Sequence, residues 1–302
     1  MMQIPGSENW TGITKIEKGW SQDIKYRVLD ANGCPLLLRL SDAERYIEKR
    51  QEFWVISQVA HLGFPMSHPL SMGLCDGKRR VYHLLRWVPG QDLETALPLL
   101  PRPVQYALGR EAGVILRKIH SLPIPADMTP GKTKLSKKQK QLQQYLESEL
   151  RVPGDRKAVA FIQENWDAIW TVPPAFLHGD FHPGNLILTP EGRVAVIDFN
   201  RWEIGDPYEE FYKLESFGVE ASVPYCVGQI DGYFQDRPPE AFWRSLAVYA
   251  AHASLFSIVW AAQFGPRDVA QMQTRYHRAM SDYDDFQRSI PQWYTEFNRT
   301  ER

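Results

Sequence analysis

The spacing of hydrophobic and polar residues changes several times along the chain, and each change predicts an element. The opening ITKIEKGWSQDIKYRVLDANGCPLLLRLS reads as a small antiparallel sheet. One strand ends near Lys18, residues 19–23 turn, IKYRVLD returns, Asn32-Gly33 turns again, and PLLLRLS is buried. The pattern then becomes helical over ERYIEKRQEFWVISQVAHLG and stops at Gly63. VYHLLRWVPG supplies a further strand over residues 81–85, running into a connector that ends at Pro89-Gly90. Beyond it the spacing is mostly helical, in VQYALGREAGVILRKIHSL and KKQKQLQQYLESEL. The same holds for two long aromatic-rich segments, PPEAFWRSLAVYAAHASLFSIVWAAQFG and DVAQMQTRYHRAMSDYDDFQRSI. One stretch interrupts the helices. AFLHGDFHPGNLILTPEGRVAVIDF has an apolar entry, a polar cluster, and two strand-like runs joined by TPEG, a good hairpin connection.

Composition adds bounds to this picture. At 302 residues the chain exceeds a usual single core and suggests two lobes. The boundary falls at the Pro89-Gly90 connector, giving residues 1–88 and 89–302. With 43% hydrophobic and 24% charged residues it reads as an ordinary soluble globular chain. A formal charge of −1 gives no reason to expect nucleic acid or an anionic membrane as partner. The one basic run, GKTKLSKKQK, is short and reads as a solvated loop entering a helix. Cys34, Cys75 and Cys226 are far apart and odd in number, which favours reduced thiols over a disulfide scaffold. The expectation from the start is that it lacks a signal-peptide pattern, and that no run approaches membrane-spanning length. The expectation is a cytoplasmic monomer or dimer.

The candidate chemistry lies in the central stretch. A hairpin folds its ends together, so Asn185 before the first strand and Asp198 after the second should meet, with Asp180 close by. Two carboxylates and an amide suit a hard cation such as Mg²⁺, which prefers oxygen ligands and shares them with substrate phosphates. The spacing Asp180-x-x-x-x-Asn185, followed by Asp198-Phe199, matches the kinase pattern of catalytic Asp, metal-binding Asn and metal-binding Asp. Asp180 would accept the proton of a hydroxyl nucleophile while Asn185 and Asp198 hold the metal. A polar loop capped by Asp and Asn for turn reasons alone is the bland alternative. His178 and His182 could instead be metal ligands of a hydrolase, although Pro183-Gly184 forbids the helix that histidines four apart prefer.

HGDFHPGN, then VIDF, then IGDP together resemble the aminoglycoside phosphotransferase and choline kinase family of small-molecule kinases. The resemblance implies a bilobal, protein-kinase-like α/β (α+β) fold, with a small antiparallel-sheet N-lobe and a larger, mainly helical C-lobe. It implies Mg²⁺-dependent transfer of the terminal phosphate of ATP or GTP to a small-molecule hydroxyl, and a place in antibiotic resistance. The turn containing Gly19, Ser21 and Asp23 would then cover the nucleotide phosphates. Arg39, where kinases carry Lys, would grip them as a bidentate fork, paired to Glu52 or, one turn earlier, Glu48. Backbone groups from Arg86 to Val88 would hydrogen-bond the base. His120 matches a helix-end histidine of the family and reads as structural, and His178 would fix the loop beneath Asp180. Asp206 and Glu210 would anchor the loop that supports Asp198. The acids Asp206, Glu209 and Glu210, with SDYDDF, would suit a cationic acceptor; the aromatic helices would equally suit a larger, less polar antibiotic such as a macrolide. A non-catalytic binding module, favoured by Arg39 replacing Lys, is the rival reading.

Overall fold

A computed structural model of the chain describes residues 4–17, 23–130 and 133–300. In chain order its regular elements begin with β1 (Gly12–Ile16), β2 (Ile24–Leu29), β3 (Pro35–Asp42), α1 (Tyr46–Val59), β4 (Pro69–Cys75), β5 (Arg80–Arg86) and β6 (Gln91–Asp92). Next come α2 (Leu93–Ala96), α3 (Arg102–His120), α4 (Leu135–Leu146), α5 (Arg156–Glu164), β7 (Ala175–Leu177), β8 (Leu186–Leu188), β9 (Val194–Val196) and β10 (Glu203–Gly205). The last are α6 (Val219–Ala221), α7 (Val223–Phe234), α8 (Glu240–Ala261), α9 (Pro266–Asp282) and α10 (Gln292–Thr300). Two compact units result, one of residues 1–92 with 185–202, the other of residues 93–184 with 203–302. The first unit is therefore not a continuous segment, and a single linear boundary does not describe it.

The first unit is built on an antiparallel sheet of order β1-β2-β3-β5-β4. Strand alternation divides its residues between two faces. Val28, Leu38, Leu40, Tyr82 and Leu84 pack on one face with Ile4 and Cys75, forming the small core. The other face carries Lys25, Arg39 and His83 in one transverse row, since Lys25 pairs with Arg39 and Arg39 with His83 in the ladder. The turn between β2 and β3 closes as its sequence demands. Asp30 Oδ1 accepts from the amides of Asn32 and Cys34, and Gly33 takes a φ of 75°. A second sheet of order β6-β8-β9 contains the central hairpin. The hairpin is tied to the segment before β4 through Val196, whose amide donates to Pro65 O at 3.0 Å and whose carbonyl accepts from Ser67 N at 3.2 Å.

The second unit is mainly helical, with β7 and β10 paired antiparallel. Its main core gathers Leu142, Tyr145, Val159 and Ile162 against Ala251, Leu255 and Ile258 of α8 and Tyr276 of α9. Helix α8 corrects the expectation that no run reaches membrane-spanning length. With its 3-10 extension to Phe264 it passes that test, at a mean hydropathy of 1.5, yet 67% of that window is buried inside the protein. Its apolarity is that of a core helix. Phe211 and Phe242 meet edge to face with ring centroids 5.0 Å apart, and both are buried in packing. The stretch from Tyr208 onward is irregular, a 3-10 turn over Glu209–Phe211 followed by a π-type turn over Leu214–Gly218. All three cysteines are free thiols.

Helices α3 and α7 meet at a seam of four glycines. A Cβ at Gly109 would lie 2.1 Å from Tyr225 O, and at Gly113 2.2 Å from Gln229 O. Reciprocally, a Cβ at Gly228 would lie 2.2 Å from Tyr106 O, and at Gly232 2.2 Å from Arg110 O. Because backbone stands on both sides of every contact, no side-chain rotation relieves the overlap. Gly228→Ala is expected to force the helices apart and destabilise the fold by about 2–4 kcal/mol, measurable by chemical denaturation. An alanine variant as stable as the parent would show that the seam opens at no cost.

Candidate active site

In the first unit, the face of the sheet that carries Arg39 holds a buried set of four charges. Arg39 donates from Nε and Nη2 to Asp23 Oδ2, at 3.1 and 2.6 Å, and from Nη1 to Glu52 Oε1 at 2.8 Å. Lys49, on α1 one turn before Glu52, donates to Asp23 Oδ2 at 2.9 Å and to Glu52 Oε2 at 2.8 Å. Ser41 Oγ and Arg45 Nη1 complete the shell of Asp23, on Oδ1, at 2.6 and 3.2 Å. Side-chain exposure of Asp23, Arg39, Lys49 and Glu52 is at most 3%. Charges so buried need pairing, and two cations with two anions leave the set neutral. Burial alone would raise the Asp23 carboxyl; Arg39, Lys49 and Ser41 outweigh it and hold it well below the usual carboxylate range. Glu52 is thus the partner of Arg39, while Glu48 pairs with Arg45 at the surface. Asp23, expected over the nucleotide phosphates, is instead part of this interior. Gly19 and Ser21 lie outside the described residues.

The central hairpin brings Asn185 beside the residues that follow β9, for Ile197 N donates to Asn185 O at 3.2 Å. Asp198 comes next, at a φ of 64°. That left-handed backbone is uncommon for a residue with a side chain and marks a position held by its surroundings. The Asp198 carboxylate lies between two cations, with Oδ2 3.5 Å from Lys25 Nζ and Oδ1 3.5 Å from Arg39 Nη1. An amide and a carboxylate on one hairpin are hard oxygen donors, a set whose chemistry fits Mg²⁺. The expected base-binding segment is only partly open. Arg86 N donates to His68 O at 2.8 Å, Arg86 O accepts from Ser67 Oγ at 2.8 Å, and Trp87 N reaches Pro35 O at 3.4 Å. The amide of Arg86 is thus engaged within the protein and does not offer its N–H to a base. Among the described residues the backbone N–H and C=O of Val88 have no hydrogen-bond partner.

In the second unit, Asp180 sits in a loop that buried groups hold from beneath. Glu210 accepts from the two amides flanking it, Gly179 N at 3.2 Å and Phe181 N at 3.3 Å. His178, fully buried, accepts Asp180 N on Nδ1 at 3.3 Å. His120 supports this floor, hydrogen-bonded to Tyr233 at 2.9 Å and 3.7 Å from Glu210 Oε2. Burial alone would raise the Glu210 carboxyl; His120, His178 and the Gly179 amide outweigh it and keep it lowered. Asp206 accepts from Trp170 N, Tyr208 N and Tyr249 OH at 2.7 to 2.9 Å. Glu210 therefore anchors the loop of Asp180, and Asp206 a neighbouring turn, rather than the loop of Asp198. Asp206 and Glu210 are buried and Glu209 pairs with Lys138, so these acids do not offer a surface for a cationic acceptor.

Two charged residues, one in each unit, escaped the sequence reading. Lys213 donates to Asp180 Oδ1 at 2.6 Å, with Nζ 5.0 Å from the Tyr212 ring and 5.5 Å from Phe217. Burial alone would lower its pKa; Tyr212 and Asp180 outweigh that and hold the ammonium charged. Lys49 is the other. Neither carries a sequence signal, since a lysine among acidic and aromatic residues on a helix reads as solvated; only a count of buried charges would have demanded them. His182 stacks near Phe217, with Nε2 3.7 Å from Asp180 Oδ1. Among the described residues no three His, Cys, Asp or Glu side chains are grouped to hold a metal.

The network of the first unit also sets a pH dependence. His83 Nε2 donates to Lys49 O at 2.9 Å, while Nδ1 is buried without a partner. Burial first, then Arg39 and Lys49, push the His83 pKa down to about 4. Between pH 6.5 and about 4 the unfolded chain therefore binds a proton that the folded chain refuses, and stability falls as pH falls. This one group accounts for a loss on the order of 2–3 kcal/mol across that window. Denaturation at pH 7 and pH 4.5 should show it, with a shallower slope in His83→Gln; equal slopes would remove His83 as the cause.

The model of the phosphotransferase enzyme family matches residues 12–243. No curated protein matches the chain. Solved structures of similar fold include aminoglycoside phosphotransferase APH(4)-Ia, at a TM-score of 0.67 and 18% identity, covering 90% of this chain and 94% of that one. A thermostable mutant of the same enzyme, in ternary complex with ADP and hygromycin B, matches at 0.64 and 17%, covering 89% and 93%. The GDP complex of aminoglycoside 2'-phosphotransferase-IIIa matches at 0.67 and 14%, covering 90% and 93%. A five-stranded antiparallel sheet unit with a mainly helical unit is the kinase-like fold that those structures share. The chain belongs to the phosphotransferase enzyme family of small-molecule kinases.

Proposed function

We propose that this protein transfers the terminal phosphate of ATP or GTP to a hydroxyl group of an amino-alcohol, of the aminoglycoside class. The observation that carries the reading is the floor under Asp180. Glu210 and His178 fix three consecutive amides, so the carboxylate is held at one place, paired with Lys213. In the reaction the acceptor oxygen forms a bond to the terminal phosphorus. The bond from that phosphorus to the bridging oxygen breaks, and nucleoside diphosphate leaves. The hydroxyl proton passes to Asp180 and then to solvent. Asn185 and Asp198 would hold Mg²⁺, which supplies charge neutralisation on the donor phosphates. Val88 would offer its backbone groups to the base. Such chemistry asks a protein mainly for positioning and electrostatics.

The acceptor class rests on the neighbours, one of which was solved with hygromycin B and another with gentamicin. A role in antibiotic resistance and a cytoplasmic location belong to the same proposal. The rival reading, a binding module without turnover, draws on one observation: the donors of Arg39 are engaged by Asp23 and Glu52.

Coupled assays of nucleoside diphosphate release across a panel of amino-sugar and macrolide acceptors test the proposal. Asp180→Ala is expected to lower turnover by about 10²–10⁴ with nucleotide affinity little changed. Asp198→Ala should abolish the Mg²⁺ dependence of nucleotide binding in a titration. Near-normal turnover in the first variant, or an unchanged metal titration in the second, would remove that residue from its role. Nucleotide binding by the parent with no turnover on any acceptor would favour the binding module.

A further inference from the structure

Kinases of this architecture bring a β3 cation to the donor phosphates, and in this chain that position is Arg39. Its guanidinium is poorly placed for the task. The Nε–Nη2 edge, the one that would grip a phosphate as a fork, is closed on Asp23, and Nη1 is bound to Glu52. Turning that edge to a phosphate would take two hydrogen bonds from the Asp23 carboxylate, whose side chain is 1% exposed, and leave it to Lys49, Ser41 and Arg45. Lys25 stands next to Arg39 in the same transverse row of the sheet. Its ammonium has a single partner among the described residues, Asp198 Oδ2, and at 3.5 Å that contact is long. Its side chain is 15% exposed, against 3% for Arg39. The four buried charges neutralise one another, so Lys25 is the row's one cation not engaged by them.

We propose that Lys25 on β2, rather than Arg39 on β3, is the cation that contacts the donor phosphates in this protein. Arg39 is then a structural anchor, tying the strand to α1 and to the end of the turn before β2. The inference rests on the nucleotide-binding reading of the hairpin given above. An Asp198 that holds Mg²⁺ no longer neutralises Lys25, and the ammonium then needs another anion. The donor phosphates supply it. A lysine suits the role because its charge sits on a flexible four-carbon stem and exchanges partners without rebuilding a planar fork.

The test is the affinity of the whole protein for Mg²⁺-ATP and Mg²⁺-GTP, in non-hydrolysable form, beside that for adenosine and guanosine, by calorimetry. Lys25→Met is expected to lose about tenfold or more in triphosphate affinity while nucleoside affinity stays within about twofold. Lys25→Arg should recover most of the loss. Lys25→Gln gives the same reading should the Met variant not fold. Arg39→Lys should lower the melting temperature yet bind the triphosphate within about threefold of the parent. A Lys25→Met protein with parental triphosphate affinity overturns the inference alone. A parent that binds neither Mg²⁺-nucleotide overturns the nucleotide reading and this inference with it.

Discussion

Burying a charge without a partner is what a fold can least tolerate, and in the first unit this constraint fixes nearly everything around it. Asp23, Arg39, Lys49 and Glu52 are each paired with an opposite charge and each shut away from water. Removing any one would leave an uncompensated charge in a low-dielectric interior, at a cost of roughly 3–5 kcal/mol. The sheet, the helix α1 and the residue that enters β2 are therefore locked to one another through side chains rather than backbone. His83 adds a backbone clamp by holding the carbonyl of Lys49, so the position of that lysine is set at both ends. A site that must receive highly charged ligands gains from such a scaffold, because its own charges do not rearrange when the ligand arrives.

The second unit solves a related problem with different residues. A loop that presents Asp180 has backbone amides that need acceptors, and Glu210 and His178 supply them from below. The buried acid that holds this loop is in turn kept ionised by His120. Lys213 comes from the irregular stretch after β10, immediately before a turn of π type. Widened turns of this kind often accompany functional side chains, and here the residue entering the turn meets the candidate base.

Much of this was legible in the letters, and the reasons differ residue by residue. Arg39 was readable because an arginine alternating with leucines in PLLLRLS must face away from the core and needs an acid. The apolar run after Glu52 then pointed to the right one. The hairpin was readable because TPEG joins two short apolar runs, and its ends come together where Ile197 N donates to Asn185 O. Asp23 was read as part of a ligand-covering turn because nothing local shows that its carboxylate turns inward. Arg86 was read as a base contact, although its backbone partners, Ser67 and His68, lie in a segment without periodicity. The acids after Gly205 looked like a surface for a cation, and their burial follows from packing partners far along the chain, Trp170 and Tyr249 among them. Local pattern reports strands and turns well; it does not report which charges the fold will enclose.

The inserted position of the hairpin has a consequence for how the protein is made. The sheet of the first unit is encoded by residue 92, but β8 and β9, against which β6 must pair, are not available until residue 202 has left the ribosome. At ordinary rates of synthesis the interval is on the order of 5–20 seconds. During it the nascent first unit carries an unpaired β6 and lacks Asp198, and the growing helical segment separates it from its missing part. Maturation of this chain is thus obligatorily late, and its earliest-made residues are among the last to be completed.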